Sequence, residues 1–152
     1  MYRKGTYDDC RQIYNLICDM ESTELDYDKF SEIYQSQLNS ESYYSLVRCA
    51  GDEVIGVINL RFERQLHHVA SVAEIMEFSV SPDYRNKGIG KEMFAKACEM
   101  AKDAGCIQIE VACNQLRKDT HRFYLREGMH NFHYKFSLNL TGNDTAENAI
   151  GK

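Results

Sequence analysis

The chain has no tryptophan and a single proline, Pro82, in 152 residues. Collagen-like repeats and proline-rich linkers are therefore excluded, because both need proline at high frequency. Positive charge is not in excess either: 18 Lys and Arg stand against 23 Asp and Glu, a formal net charge of -5. Binding to a phosphate backbone needs a basic footprint, so nucleic acid is not an expected partner. No apolar run approaches the roughly 20 residues that cross a bilayer. The N-terminus passes from Met1 through Arg3 and Lys4 to Asp8 and Asp9 without the apolar stretch of a secretion signal. No membrane partner is expected, and the cytoplasm is the expected location. The six cysteines, Cys10, Cys18, Cys49, Cys98, Cys106 and Cys113, include no C-x-x-C pair and no histidine at zinc-ligand spacing. No metal site is read from them. They read as small buried hydrophobes in a reducing compartment.

What is present suits one domain. Hydrophobic types make up 43% and charged types 27%, ordinary values for a globular protein. A chain of this length buries roughly 70% of its unfolded surface, enough for a core without covalent staples. We read residues 1–140 as that domain and 141–152 as a small, polar tail.

Residues 2–7 predict a short edge strand. Asp8 or Asp9 caps a helix with Cys10, Ile13, Leu16, Ile17 and Met20 on one stripe. Residues 26–38 predict a second helix, with Phe30, Ile33, Tyr34 and Leu38 at helical spacing. Residues 43–49 and 54–62 predict two strands joined at Gly51-Asp52 as a hairpin. Residues 69–80 predict a long strand with Val72, Met76, Phe78 and Val80 on one side and Ala73, Ile75, Glu77 and Ser79 on the other. A helix follows from Gly88 to Ala104, then a strand over 106–113, a short helix over 119–127 and a closing strand over 129–140. The fold class is α/β, a mixed sheet whose first half is antiparallel.

The segment Tyr84-Arg85-Asn86-Lys87-Gly88-Ile89-Gly90-Lys91 follows one strand and opens one helix. Its glycines allow a tight turn and close ligand approach. The first amides of the helix lack intrahelical partners and are backed by the helix dipole, which makes an anion site. Arg85, Lys87 and Lys91 add charge. The segment is neither a Walker loop nor a dinucleotide fingerprint, whose glycine spacings differ.

Arg85-x-x-Gly88-x-Gly90 after Phe78-Ser79-Val80 resembles motif A of the GNAT N-acetyltransferases, and the element order is similar to that fold over residues 2–140. The resemblance implies acetyl-CoA as co-substrate. It implies that Arg85, Asn86, Lys87, Gly88, Ile89, Gly90 and Lys91 hold the pyrophosphate. The backbone of Phe78, Ser79 and Val80 would pair with the pantetheine and polarise the thioester. Gln65-Leu-His67-His68-Val69, Glu74-Ile-Met-Glu77, Tyr14-x-Leu16-Ile17-Cys18 and Thr120 to Gly128 resemble the aminoalkylphosphonate N-acetyltransferases within that family. Many GNAT members carry Asn seven residues before the helix tyrosine; here that position is Arg117, and Asn114 is the nearest asparagine for the pantetheine arm.

Direct attack of an amine on a thioester needs a base for the ammonium, an oxyanion donor and an acid for the leaving thiolate. Glu77 and Glu74 are the base candidates. Regular strand alternation would put them on opposite faces, and Glu77 is preferred because Ser79 shares its face. The resemblance makes Tyr124 the acid. His67 and His68 are acceptor-site candidates, and a phosphonate would draw its cations from Arg61, Arg64, Arg117 and Arg122, with Arg61 and Arg64 on opposite faces. The expected reaction is N-acetylation of a small-molecule primary amine, an aminoalkylphosphonate first. The alternatives are another amine acceptor (an aminoglycoside, a polyamine or a protein amino group), a non-catalytic acetyl-CoA sensor and a CoA-free phosphate-binding module. The aromatic segment Phe132-His133-Tyr134-Lys135-Phe136 serves either a homodimer or packing within the monomer.

Overall fold

The structure, a computed structural model, describes residues 1–142. Most of the polar tail read over 141–152 lies outside the described residues. The chain divides into two compact units, Met1–Val111 and a second that begins at Ala112.

The first unit is a five-stranded mixed sheet carrying three helices. Strand β1 (Tyr2–Lys4) leads through a 3-10 turn into helix α1 (Cys10–Glu21). At that turn Asp9 is buried and accepts from both ends of the Arg3 guanidinium, at 2.7 and 2.9 Å, and from the Thr6 amide at 2.7 Å. The Arg3 charge beside it holds the Asp9 carboxyl below its usual range. Helix α1 buries Cys10, Ile13, Leu16 and Ile17, the stripe read from the sequence, together with Tyr14. Helix α2 (Tyr27–Leu38) starts at Asp26, whose side chain accepts from the Lys29 amide at 3.0 Å. Its apolar face is narrower than the spacing predicts: Tyr34 is buried, but Ile33 is 59% exposed. Ile33 and Tyr34 lie 100° apart on a helix, and α2 turns only the Tyr34 side toward the sheet.

Strands β2 (Tyr43–Ala50), β3 (Glu53–Gln65) and β4 (Ala70–Val80) pair antiparallel. Helix α3 (Ile89–Asp103) then crosses over to β5 (Cys106–Val111), which pairs parallel with β4. The sheet order is β1-β2-β3-β4-β5. One face carries Val47 and Val57 against Ile13, Leu16, Ile17 and Tyr34 from α1 and α2. The other meets α3, and Gly56 is needed there: a Cβ at that position would come within 2.6 Å of the Met93 sulfur.

One detail of β4 differs from the sequence reading. Asn59 pairs with Glu77 and Leu60 with Ile75, so Met76 is an extra residue, a β-bulge. Directly opposed residues share a face. Val72, Glu74, Glu77 and Ser79 therefore lie on one side, and Ala73, Ile75, Phe78 and Val80 on the other. Strict period-2 alternation, which separates Glu74 from Glu77, fails at the bulge.

In the second unit, helix α4 (Lys118–Arg126) is the main element, and Gly128 ends it with φ of 94°. The strand predicted over 129–140 does not form: residues 129–139 have no regular secondary structure, and Phe132, Tyr134, Phe136, Leu138 and Leu140 are all exposed. Apolar alternation marks a segment able to bury one face, but a strand exists only when a neighbour supplies its ladder.

Candidate active site

The bulge organises the polar side of β3 and β4. Asn59 Nδ2 donates to Glu77 Oε1 at 2.9 Å, and one row along, Arg61 Nη2 donates to Glu74 Oε2 at 2.6 Å. Glu63 Oε1 is 3.8 Å from the same guanidinium nitrogen. Both candidate bases thus occupy one face. They differ in environment. Burial pushes the Glu77 carboxyl above its ordinary 4.5, the Asn59 hydrogen bond opposes that rise, and the charge of Glu21 adds to it. Glu74 is committed to Arg61.

The strand carrying Glu77 runs on past its ladder with β5. The ladder between β4 and β5 ends at Ile75 and Val111. Ser79 Oγ donates to the Leu16 carbonyl at 3.0 Å, which ties this end of β4 to α1.

After Val80 a 3-10 turn over Pro82–Tyr84 leads to the glycine loop. Asn86 takes φ of 61° and Gly88, the N-cap of α3, φ of 80°. No atom lies within 4 Å of where a Gly88 Cβ would sit, so its backbone is open to a ligand. Lys87 and Lys91 are exposed; the Lys87 ammonium lies 5.3 Å from the Tyr84 ring centre. Arg85 is engaged differently. Its Nε donates to the Val80 carbonyl at 3.0 Å and its Nη2 to Asp19 at 2.6 Å. It therefore pins the loop to the end of β4 and to α1. The amides that open α3, with Lys87 and Lys91, are an arrangement suited to an anion. This loop and the end of β4 beyond its ladder with β5 fit a ligand with a pyrophosphate and an extended amide-bearing arm.

In the second unit, burial raises the Tyr124 hydroxyl to about 12, with Arg117 opposing and Cys113 adding to the shift. It stays protonated at neutral pH. Asn114 Oδ1 accepts from the Leu116 amide at 2.8 Å, and its carbonyl accepts from His121 Nε2 at 2.7 Å.

The histidines and Arg64 are placed away from Glu77. His67 and His68 lie in the turn between β3 and β4, their rings 4.3 Å apart, and His68 bonds Gln65. About 7 residues of strand, roughly 25 Å, separate this turn from Glu77. Arg64 pairs with Ser71 and falls on the face opposite Glu77, whereas Arg61 falls on the same one. Arg122 is held by Asp119. Among the described residues no three metal-ligating side chains gather. Reading the sequence missed Asn59. Its signal was there: one amide side chain inside the apolar run Val57-Ile58-Asn59-Leu60.

Comparison with known proteins decides the family. The sequence pattern of the acetyltransferase (GNAT) family matches residues 7–129. The chain belongs to the GNAT acetyltransferase family. This GNAT acetyltransferase is 36% identical over 138 residues to an aminoalkylphosphonate N-acetyltransferase of Salmonella typhimurium, covering 91% of this chain and 90% of the relative. A transcriptional regulator from Bacillus halodurans has the same fold, with a TM-score of 0.85 at 22% identity over 92% of this chain and 99% of that one. So does an aminoglycoside 6'-N-acetyltransferase from Acinetobacter haemolyticus, with a TM-score of 0.78 at 10% identity over 91% and 97%. As a GNAT enzyme it is an acyltransferase, and the loop before α3 is its motif A. No helix among the described residues is long and apolar enough to cross a membrane.

Proposed function

We propose that this enzyme transfers the acetyl group of acetyl-CoA to the primary amine of a short acceptor of the aminoalkylphosphonate class. The observation that carries the reading is Glu77: a half-buried carboxyl with a raised proton affinity, held by Asn59, on the half of β4 beyond the end of its ladder with β5. The substrate class rests on the Salmonella relative.

In this reading the amides opening α3, with Lys87 and Lys91, bind the pyrophosphate, and the Phe78–Val80 backbone aligns the thioester. Glu77 takes a proton from the acceptor ammonium, leaving a neutral amine able to attack. A backbone amide of β4 stabilises charge on the carbonyl oxygen. As the C–S bond breaks, Tyr124, still protonated, gives its proton to the departing thiolate and recovers one from the acylated nitrogen, which sheds its second proton. Arg117, whose charge acts on Tyr124, serves as an acceptor-side cation. Glu74 is the second candidate base. A cationic acceptor such as a polyamine is the rival substrate class, favoured by the four carboxylates at Glu63, Glu74, Glu77 and Glu110 on strands β3 to β5. The six free thiols support a reducing compartment, the cytoplasm. The exposed apolar positions of residues 132–140 support a homodimer.

Two measurements test this. Acetyl-CoA and CoA, but not ATP, should raise the thermal midpoint by mass action. Thiol release from acetyl-CoA should occur with 2-aminoethylphosphonate and exceed that with spermidine or an aminoglycoside. No shift with either CoA species removes the co-substrate assignment. A shift without thiol release from any amine leaves a sensor.

A further inference from the structure

Buried polar atoms in folded proteins are nearly always hydrogen-bonded, so clustered exceptions ask for a partner. Among the described residues two such atoms stand together on β3: Asn59 Oδ1 and Arg61 Nε. Ser45 and Asn59 are directly opposed across β2 and β3, and Asn59 is directly opposed to Glu77 across β3 and β4. Arg61 stands two residues further along β3 on the same face, about 7 Å away along the strand. Asn59 is 6% exposed.

The two main orphans are complementary in sign. Asn59 donates one amide hydrogen to Glu77, which leaves its oxygen, an acceptor, beside the carboxylate that would deprotonate an ammonium. Arg61 spends Nη2 on Glu74, which leaves the Nε–H, a donor. We propose that this patch is the acceptor-recognition subsite and reads a short zwitterion. Asn59 Oδ1 takes a hydrogen of the ammonium, with Ser45 beside it, and Arg61 Nε–H takes an oxygen of the acidic group. This deepens the acetyltransferase reading above and rests on it. The carboxylates of Glu74 and Glu63 offset much of the Arg61 charge. Recognition of the acid is therefore by a directed hydrogen bond, and polyanions gain nothing from the site. Asn59 also positions Glu77. Glu77 feels Asn59 from β3, Glu21 from α1 and burial, with the Arg61–Glu74 pair one row away; only the Asn59 bond is removed by changing Asn59.

The test uses the full chain with CoA or acetyl-CoA present. In Arg61→Gln, the ratio of kcat/KM for 2-aminoethylphosphonate to that for propylamine should fall about 30-fold, the loss of one hydrogen bond to a charged group. Arg61→Lys, which keeps charge but not the Nε geometry, should restore little of it. In Asn59→Leu, KM should rise for both amines and the acidic inflection of the pH–rate profile should move upward. An unchanged ratio in Arg61→Gln, or an unmoved inflection in Asn59→Leu, overturns the proposal. Titration calorimetry of 2-aminoethylphosphonate separates this from failure of the enzymatic reading. Binding to the wild type that Arg61→Gln weakens keeps the subsite even without turnover; equal binding to both removes it.

Discussion

At the scale of the residue, Glu77 carries the most consequence. Its folded-state proton affinity is raised by burial. A raised carboxyl pKa means that the protonated form favours the folded state. That stabilisation is complete below the unfolded value and is lost as pH rises through the folded value, beyond which the buried charge weighs against folding. Glu77→Gln should therefore melt higher than the wild type well above neutrality, with the difference vanishing near the ordinary carboxylate value of 4.5. The same variant should lose about 10²- to 10⁴-fold in kcat, the usual range for a positioned base. A less active but more thermostable protein is the expected joint outcome. A variant that is destabilised at alkaline pH would contradict the burial argument. Residue identity made Glu77 visible in the sequence, but its partner was not: Asn59 is 18 positions away, and only the register of β3 against β4 brings the two to 2.9 Å.

At the scale of the element, the loop before α3 and the bulge in β4 divide the lesson. The loop was legible because its requirements are local. Gly88 adopts a positive φ that other residues avoid, and it sits between a strand and a helix that periodicity alone identifies. Gly51, in the turn between β2 and β3, has a similar φ of 62° and equally open surroundings. Gly88→Ala and Gly51→Ala should each cost about 1 kcal/mol of stability. Only Gly88→Ala should also reduce the thermal shift produced by acetyl-CoA, because only that backbone belongs to the proposed pyrophosphate site. Equal shifts in both variants would detach the loop from co-substrate binding. The bulge was not legible. Nothing in Glu74-Ile75-Met76-Glu77 distinguishes a regular strand from one with an extra residue; the difference lies in its pairing with β3. Arg85 is a related case. Composition makes it a phosphate ligand, but the fold spends it on Asp19 and the Val80 carbonyl.

At the scale of the whole molecule, the net charge of -5 conceals a division of sign. Lysines gather at the start of α3, while carboxylates line one face of β3 to β5. The molecule also exposes Phe132, Tyr134, Phe136, Leu138 and Leu140 at alternate positions, a pattern that soluble surfaces seldom carry without a partner. If a second copy covers them, the wild type should sediment as a dimer, and combined Phe132→Ser, Tyr134→Ser and Phe136→Ser substitution should leave a monomer. A wild-type monomer at micromolar concentration would end the homodimer reading.

The sequence by itself determined the helices, most strands and the family, and it put forward the glycine loop, Glu77 and Tyr124 as candidates. Each of these depends on neighbours within a few positions: apolar spacing, capping residues, glycine where φ turns positive. Tertiary structure alone decided which carboxyl partial burial raises, that Glu74 and Glu77 share a face, that Asn59 and Arg61 stand beside them, and that residues 129–139 form no strand. Those outcomes depend on strand register and on partners distant in the chain, and a period-2 pattern is silent about both.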